Sequence, residues 1–151
     1  MQLLSKLKYV GVQTEDLIDV YCLFIRSIAE YSSVVFHPSL TEKQIGQYEN
    51  IQSTALKLIL QENYVSTEAS REMTGLSTLF QRRDNRMTRF ALKCLEHPKH
   101  NEMFPINVEK GHDLRAHEKF LVNFARTSFY KNSSIIFCQN RLNELASKGK
   151  I

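Results

Sequence analysis

Apolar positions recur at helical spacing through the first two thirds of the chain. At 100° per residue, Leu17, Ile18, Val20, Tyr21, Phe24, Ile25, Ile28, Tyr31 and Val35 share an arc of about 160°, with Asp19, Arg26, Glu30 and Ser33 opposite. This spacing predicts an amphipathic helix with the first set buried. Thr14 is the expected side-chain cap of its first amides, Glu15 and Asp16 suit the positive end of the helix dipole, and Pro38 closes the element while restricting His37.

A second helix opens at Thr41-Glu42-Lys43-Gln44, a capping box in which the hydroxyl and the amide each satisfy an orphan backbone N–H. Ile45, Tyr48, Ile51, Ala55, Leu56, Leu58 and Ile59 form its apolar face, with Lys43, Asn50, Thr54 and Lys57 pointing away. Two such stripes joined by a short link predict an antiparallel helical hairpin. Thr67 to Thr74 reads as a shorter helix ended by Gly75, where a left-handed backbone is cheap, and Thr78 to Glu96 as a longer one stopped by Pro98. From His97 to Asp113 there is no period, so a loop is expected. Phe120, Val122 and Phe124 alternate as in a strand, and Ser133 to Ala146 begins apolar and ends as a short helix.

The expected fold is therefore mainly α: a helical hairpin with further helices, a loop-rich C-terminal third and one or two short strands. Residues 1–96 form the helical region and 97–151 a basic extension packed on it, within a single domain.

Composition narrows the classes. With 151 residues and 42% hydrophobic content, one domain can bury a sizeable core. Cys22, Cys94 and Cys138 are too few and too far apart for a disulfide framework, and the apolar runs are too short to span a membrane. The N-terminal segment is too short in its apolar part and too mixed in charge for a signal peptide, so an intracellular location, nucleus or cytoplasm, is expected. The net charge of +4 is unevenly spread. Residues 1–76 carry 6 Lys/Arg against 9 Asp/Glu, net −3, and residues 77–151 carry 14 against 7, net +7. A basic half attracts polyanions without specifying which.

Within that half, Arg82, Arg86, Arg89 and Lys93 project from one edge of the third long helix within about 60°, beside an apolar face of Leu79, Phe80, Met87, Phe90, Ala91 and Cys94. Cations at these spacings repel one another modestly, so the row gains nothing for the isolated helix and suits a phosphate backbone alongside. A solvated helix face and an acidic protein surface fit the same pattern. Arg83 falls inside the apolar sector, where a snorkelling side chain or a structural ion pair is expected.

Metal and catalytic chemistry find little support. Cys94, His97, His100, His112 and His117 lie close in sequence, but structural zinc sites usually use more thiolates, so no metal ligand is assigned. Glu15 and Asp16 are adjacent carboxylates explained by a helix start, Cys94 reads as a core residue, and neither a Gly-x-Ser-x-Gly motif nor a glycine-rich phosphate loop occurs. No catalytic residue, cofactor or small-molecule substrate is expected.

The stretch Gly11 to Leu60 carries Gly-Val, acidic-Leu-Ile, Phe24-Ile25-Arg26, Glu30-Tyr31, His37-Pro38-Ser39-Leu40-Thr41 and Glu42-x-Gln44 ahead of a leucine/isoleucine run. Further along come Gln61-Glu62-Asn63-Tyr64, Met73-Thr74-Gly75-Leu76-Ser77, Arg82-Arg83, Phe90-Ala91, Lys93-Cys94-Leu95, Asn123-Phe124-Ala125-Arg126-Thr127 and Cys138-Gln139-x-Arg141-Leu142-Asn143. In order and spacing this series resembles the region after the catalytic palm of reverse transcriptases from jockey-like non-LTR retrotransposons. Ser27 stands where that pattern often has proline, Phe36 where it has tryptophan, and Ile136 where proline is common.

The resemblance implies a thumb and post-thumb region that packs on a reverse transcriptase palm and follows template RNA or an RNA/DNA hybrid by its backbone. Arg82, Arg86, Arg89 and Lys93, helped by Arg126 and Lys131, would be the nucleic-acid-binding residues. The parent polyprotein would be an RNA-directed DNA polymerase. Its aromatic-Ala-Asp-Asp turn, which holds two metal ions about 4 Å apart, does not occur in this chain, so the chain itself is expected not to be an enzyme. A free-standing helical interaction module, or a transposon remnant without activity, is the alternative.

Overall fold

The computed structural model describes residues 1–107 and 118–151, and it is mainly α-helical. The helices are α1 (Gln2–Tyr9), α2 (Thr14–Val20), α3 (Ser27–Ala29), α4 (Ser33–Phe36), α5 (Glu42–Leu60), α6 (Thr67–Thr74), α7 (Leu79–Glu96), α8 (Ser128–Lys131) and α9 (Ser134–Ser147). A π-helical turn, Tyr21–Arg26, joins α2 to α3, and short 3-10 turns occupy His37–Ser39, Gln61–Asn63 and Asn101–Met103. Among the described residues no helix is long and apolar enough to cross a membrane.

The chain forms two compact units, Met1–Ser32 with Leu40–Arg83, and Ser33–Ser39 with Asp84–Ile151. The division runs through α7 between Arg83 and Asp84 rather than at Pro98, because the apolar stripe of α7 from Met87 onward shares a core with segments near the C-terminus.

In the first unit α5 packs on α1, α2 and α6. Leu4, Leu17, Tyr21, Ala55 and Ile59 make the core, with Leu7, Val12 and Leu76 packed around it. The capping box at the start of α5 is formed: Gln44 N–H donates to Thr41 Oγ1 at 3.4 Å, and Thr41 N–H donates to Gln44 Oε1 at 2.9 Å. Helix α6 ends at Gly75, whose φ of +66° is the left-handed conformation required there. Helix α1 went unforeseen, since its eight residues, Gln-Leu-Leu-Ser-Lys-Leu-Lys-Tyr, are few and have no capping signal ahead of them. The start of α2 also differs from expectation. Its cap position is Gln13 with no side-chain bond, and Thr14 is already helical.

The largest departure lies in the first predicted helix. Leu17 and Tyr21 are buried as expected, but Phe24, Ile28 and Tyr31 are 58%, 77% and 78% exposed, and Glu30, expected on the outer face, is 1% exposed. A π turn bonds i to i+5 and takes about one residue more per turn, so the side chains after it are turned back by about 100° relative to an α-helix. The helix also ends at Ala29, before Tyr31. Ser27 marks the place: its hydroxyl donates to the carbonyls of Leu23 (2.5 Å) and Phe24 (3.0 Å), competing with the backbone amides for them.

The second unit is built on α7 and α9. Met87, Ala91, Cys94, Phe104, Phe120, Cys138 and Leu142 form its core. The stretch Ser33–Ser39, expected to end one helix and link it to the next, docks here: Ser134 Oγ donates to the Val34 carbonyl at 2.6 Å, and buried His37 meets Phe137 edge-on at 5.8 Å. The strand suggested around Phe120 is reduced to one antiparallel bridge between Ile106 and Phe120, with no regular strand among the described residues. Helix α9 runs from Ser134 to Ser147, so the apolar start expected ahead of a shorter helix is itself helical.

The altered face predicts an unequal pair of substitutions. Ile59→Ala, in the core, should cost about 2–5 kcal/mol in denaturant unfolding, and Ile28→Ala less than about 0.5 kcal/mol. An uninterrupted α-helix would make both expensive.

Candidate nucleic-acid interface

The predicted basic row lies on α7, whose start is firmly set. Glu49 accepts from the N–H groups of Leu79 (3.3 Å) and Phe80 (2.7 Å), and Thr78 Oγ1 accepts from Gln81 N–H at 3.0 Å. The carboxylate and hydroxyl satisfy orphan amides where the helix dipole is positive. A phosphate therefore has no open helix terminus to occupy here, and any anion must be met by side chains along the helix.

The four cations of the row differ in exposure. Arg82 is held by Glu30: Nε lies 2.6 Å from Oε1 and Nη2 3.3 Å from Oε2, a two-pronged charge-assisted contact to a carboxylate shut off from solvent. The bond to Glu30 raises the Arg82 pKa further. Arg86, Arg89 and Lys93 are exposed. All three lie in the second unit, as do the exposed Arg126 and Lys131. That unit, residues 33–39 and 84–151, carries 12 Lys/Arg against 7 Asp/Glu, net +5, and the remainder carries 8 against 9, net −1.

Arg83 does not snorkel, and among the described residues it forms no ion pair. It is fully buried, with its guanidinium carbon 4.8 Å from the centre of the Tyr48 ring and no hydrogen-bond partner for its three nitrogens among the described residues. Burial lowers its pKa, and the charge of Glu49 opposes that shift. A cation over an aromatic face recovers part of its desolvation cost. Arg141, also in the second unit, bonds to Asp84 and Glu144 and is not available as a phosphate ligand without breaking those contacts.

Nucleophile and metal chemistry gain nothing from the geometry. Cys94 and Cys138 are buried in the core of the second unit, and burial pushes the Cys138 thiol up to about 12. His97 and His100 stack on each other at 4.5 Å. No three His, Cys, Asp or Glu side chains are grouped to hold a metal among the described residues, and His112 and His117 fall outside them. Sequence reasoning missed Glu30, whose role is visible only once the π turn has brought it inward, and missed the exposed rings of Phe124, Phe129 and Tyr130 beside Arg126 and Lys131. The chain matches no protein-family model, no curated protein and no solved structure.

Two outcomes test this geometry. Arg82→Ala should destabilise the fold by about 1.5–3 kcal/mol, the scale of a hydrogen bond to a charged group, and Arg89→Ala by less than about 0.5 kcal/mol, both read by urea unfolding. For the cysteines, a folded-state pKa above the unfolded value of about 8.5 means that the native state holds its proton longer, so the contribution of Cys138 is complete below about pH 8.5 and is lost as pH rises toward 12. A thiol reagent at pH 8 should reach the half-buried Cys22 first, and Cys94 and Cys138 only on unfolding.

Proposed function

We propose that this chain is a non-catalytic, backbone-binding part of a nucleic-acid-handling protein, the post-palm region of the reverse transcriptases that its sequence resembles. Template RNA or an RNA/DNA hybrid is held through its phosphates by Arg86, Arg89 and Lys93, with Arg126 and Lys131 as further contacts. The observation that carries this reading is the placement of all five cations at the surface of the one unit with a net charge of +5. Phosphate contacts fix position and register without reading bases, which suits a region whose task is to hold a substrate that another domain extends. Arg82, tied to Glu30, serves the fold instead.

The partner palm fits the exposed apolar face of the first unit, Leu23, Phe24, Ile28 and Tyr31, which nothing else in that unit covers. The same face supports a second reading, a helical protein-interaction module with no nucleic-acid role.

Salt dependence separates the two. On duplex nucleic acid, three phosphate contacts contribute about −2.7 to the log-log slope of affinity against salt, so Arg86→Ala/Arg89→Ala/Lys93→Ala should flatten the slope by about that amount. Arg82→Ala should weaken the fold and leave the slope alone. A wild-type protein with a flat salt response would overturn the nucleic-acid reading and leave the interaction module.

A further inference from the structure

Between Asn123 and Asn132 the second unit holds aromatic rings out into solvent. Phe124 is 85% exposed, Phe129 83% and Tyr130 38%, and Arg126 and Lys131 are interleaved with them. The two phenylalanine rings contribute little burial to the fold, and soluble proteins rarely display large apolar groups together without a partner for them.

The segment is nonetheless tied down at both ends. Phe120 is buried and its N–H donates to Asn143 Oδ1 at 2.8 Å; Asn123 N–H donates to Oε1 of the fully buried Gln139 at 3.0 Å, and Gln139 Nε2 donates in turn to the Met103 carbonyl at 3.0 Å. Downstream, Tyr130 N–H donates to Thr127 Oγ1 at 3.2 Å, Lys131 N–H to the Thr127 carbonyl at 3.0 Å, and Ser39 Oγ to the Asn132 carbonyl at 3.1 Å. A hollow of about 190 Å³ lies against Phe129, lined also by Ser39, Ser128 and Asn132. The rings are thus mounted on an anchored frame, which lowers the ordering cost of binding.

We propose that Phe124, Phe129 and Tyr130, with Arg126 and Lys131, form a stacking platform for single-stranded nucleic acid. The proposal rests on the backbone-binding reading above and narrows it to unpaired strands. In a duplex each base face is covered by its neighbours, so an aromatic side chain can stack only on an unpaired base, and alternation of rings with cations meets both the base faces and the phosphates. From Phe124 to Phe129 the backbone reaches at most about 18 Å, enough for a few nucleotides. The hydroxyl and amide groups around the Phe129 hollow suit the polar edge of a base better than an acyl chain. A protein partner would favour a patch depleted of charge at its centre, and a membrane surface would favour a continuous apolar helical face. Helix α8, four residues long, presents no such face.

The chain contains no tryptophan, so Phe129→Trp introduces a single fluorescent reporter that preserves the ring. Oligo(U), oligo(dT), a duplex with the same number of phosphates and phosphatidylserine vesicles are titrated against it. Quenching by the single strands but not by the duplex is expected. Phe124→Ala/Phe129→Ala should fold normally by circular dichroism and lose about 5- to 150-fold in single-strand affinity for each stack removed, with an unchanged salt slope, whereas the triple variant of Arg86, Arg89 and Lys93 changes the slope. If the aromatic variants bind single strand and duplex as the wild type does, the platform is refuted and the backbone reading stands. Absence of binding to either form refutes both. A tryptophan signal from vesicles alone assigns the rings to a lipid surface and also overturns the proposal.

Discussion

The contact on which the arrangement of charge depends is the one between Glu30 and Arg82. A carboxylate closed off from water needs a cation and hydrogen-bond donors, and the guanidinium supplies both through Nε and Nη2. Glu30 reaches that position because the helical run from Thr14 to Ala29 does not keep one period. The π turn at Tyr21–Arg26 rotates the residues beyond it, and a side chain patterned for the surface becomes buried while Phe24 and Ile28 become exposed. One local change in backbone hydrogen bonding thereby removes a cation from the basic row and places an apolar face at the surface of the first unit.

Helix α7 carries the consequences along its length. Its first turn is bound to Glu49 and Thr78, Arg82 is consumed by Glu30, and Arg83 is buried over Tyr48. From Asp84 on, the helix belongs to the other unit, where Met87, Ala91 and Cys94 face the core and Arg86, Arg89 and Lys93 remain at the surface. A row that looks uniform on a helical wheel is divided by its surroundings: Arg82 is drawn against a buried carboxylate, and Arg86, Arg89 and Lys93 stay exposed. Net charge is divided in the same way: the proposed function and the proposed stacking platform both fall on the unit with the positive excess.

Features set by neighbours in sequence were legible. The capping box at Thr41 and Gln44, the helix from Thr67 to Thr74 with Gly75 beyond it, and the long helix ending at Glu96 all depend on contacts within a turn or two. Helix α1, the full extent of α9 and the docking of Ser33–Ser39 beside α9 depend on partners distant in the chain. The rings at Phe124 and Phe129 illustrate the limit. The alternation of Phe120, Val122 and Phe124 with Leu121, Asn123 and Ala125 suggests a strand with one buried face, yet only Phe120 is taken into the core, because beyond its single bridge to Ile106 the segment bonds to the Gln139 side chain rather than to a continuing strand.

By itself the sequence determined the mainly helical class, the caps and breaks of the central helices, the excess of positive charge after residue 76 and the alignment of cations along one edge of α7, since each is a property of residue type and short-range spacing. Tertiary structure alone decided which apolar residues are buried, which arginines are spent on the fold and which reach solvent. Those outcomes turn on a change of helical phase at Tyr21–Arg26 and on pairings such as Glu30 with Arg82, 52 residues apart, whose energy appears only when the chain has brought the partners together.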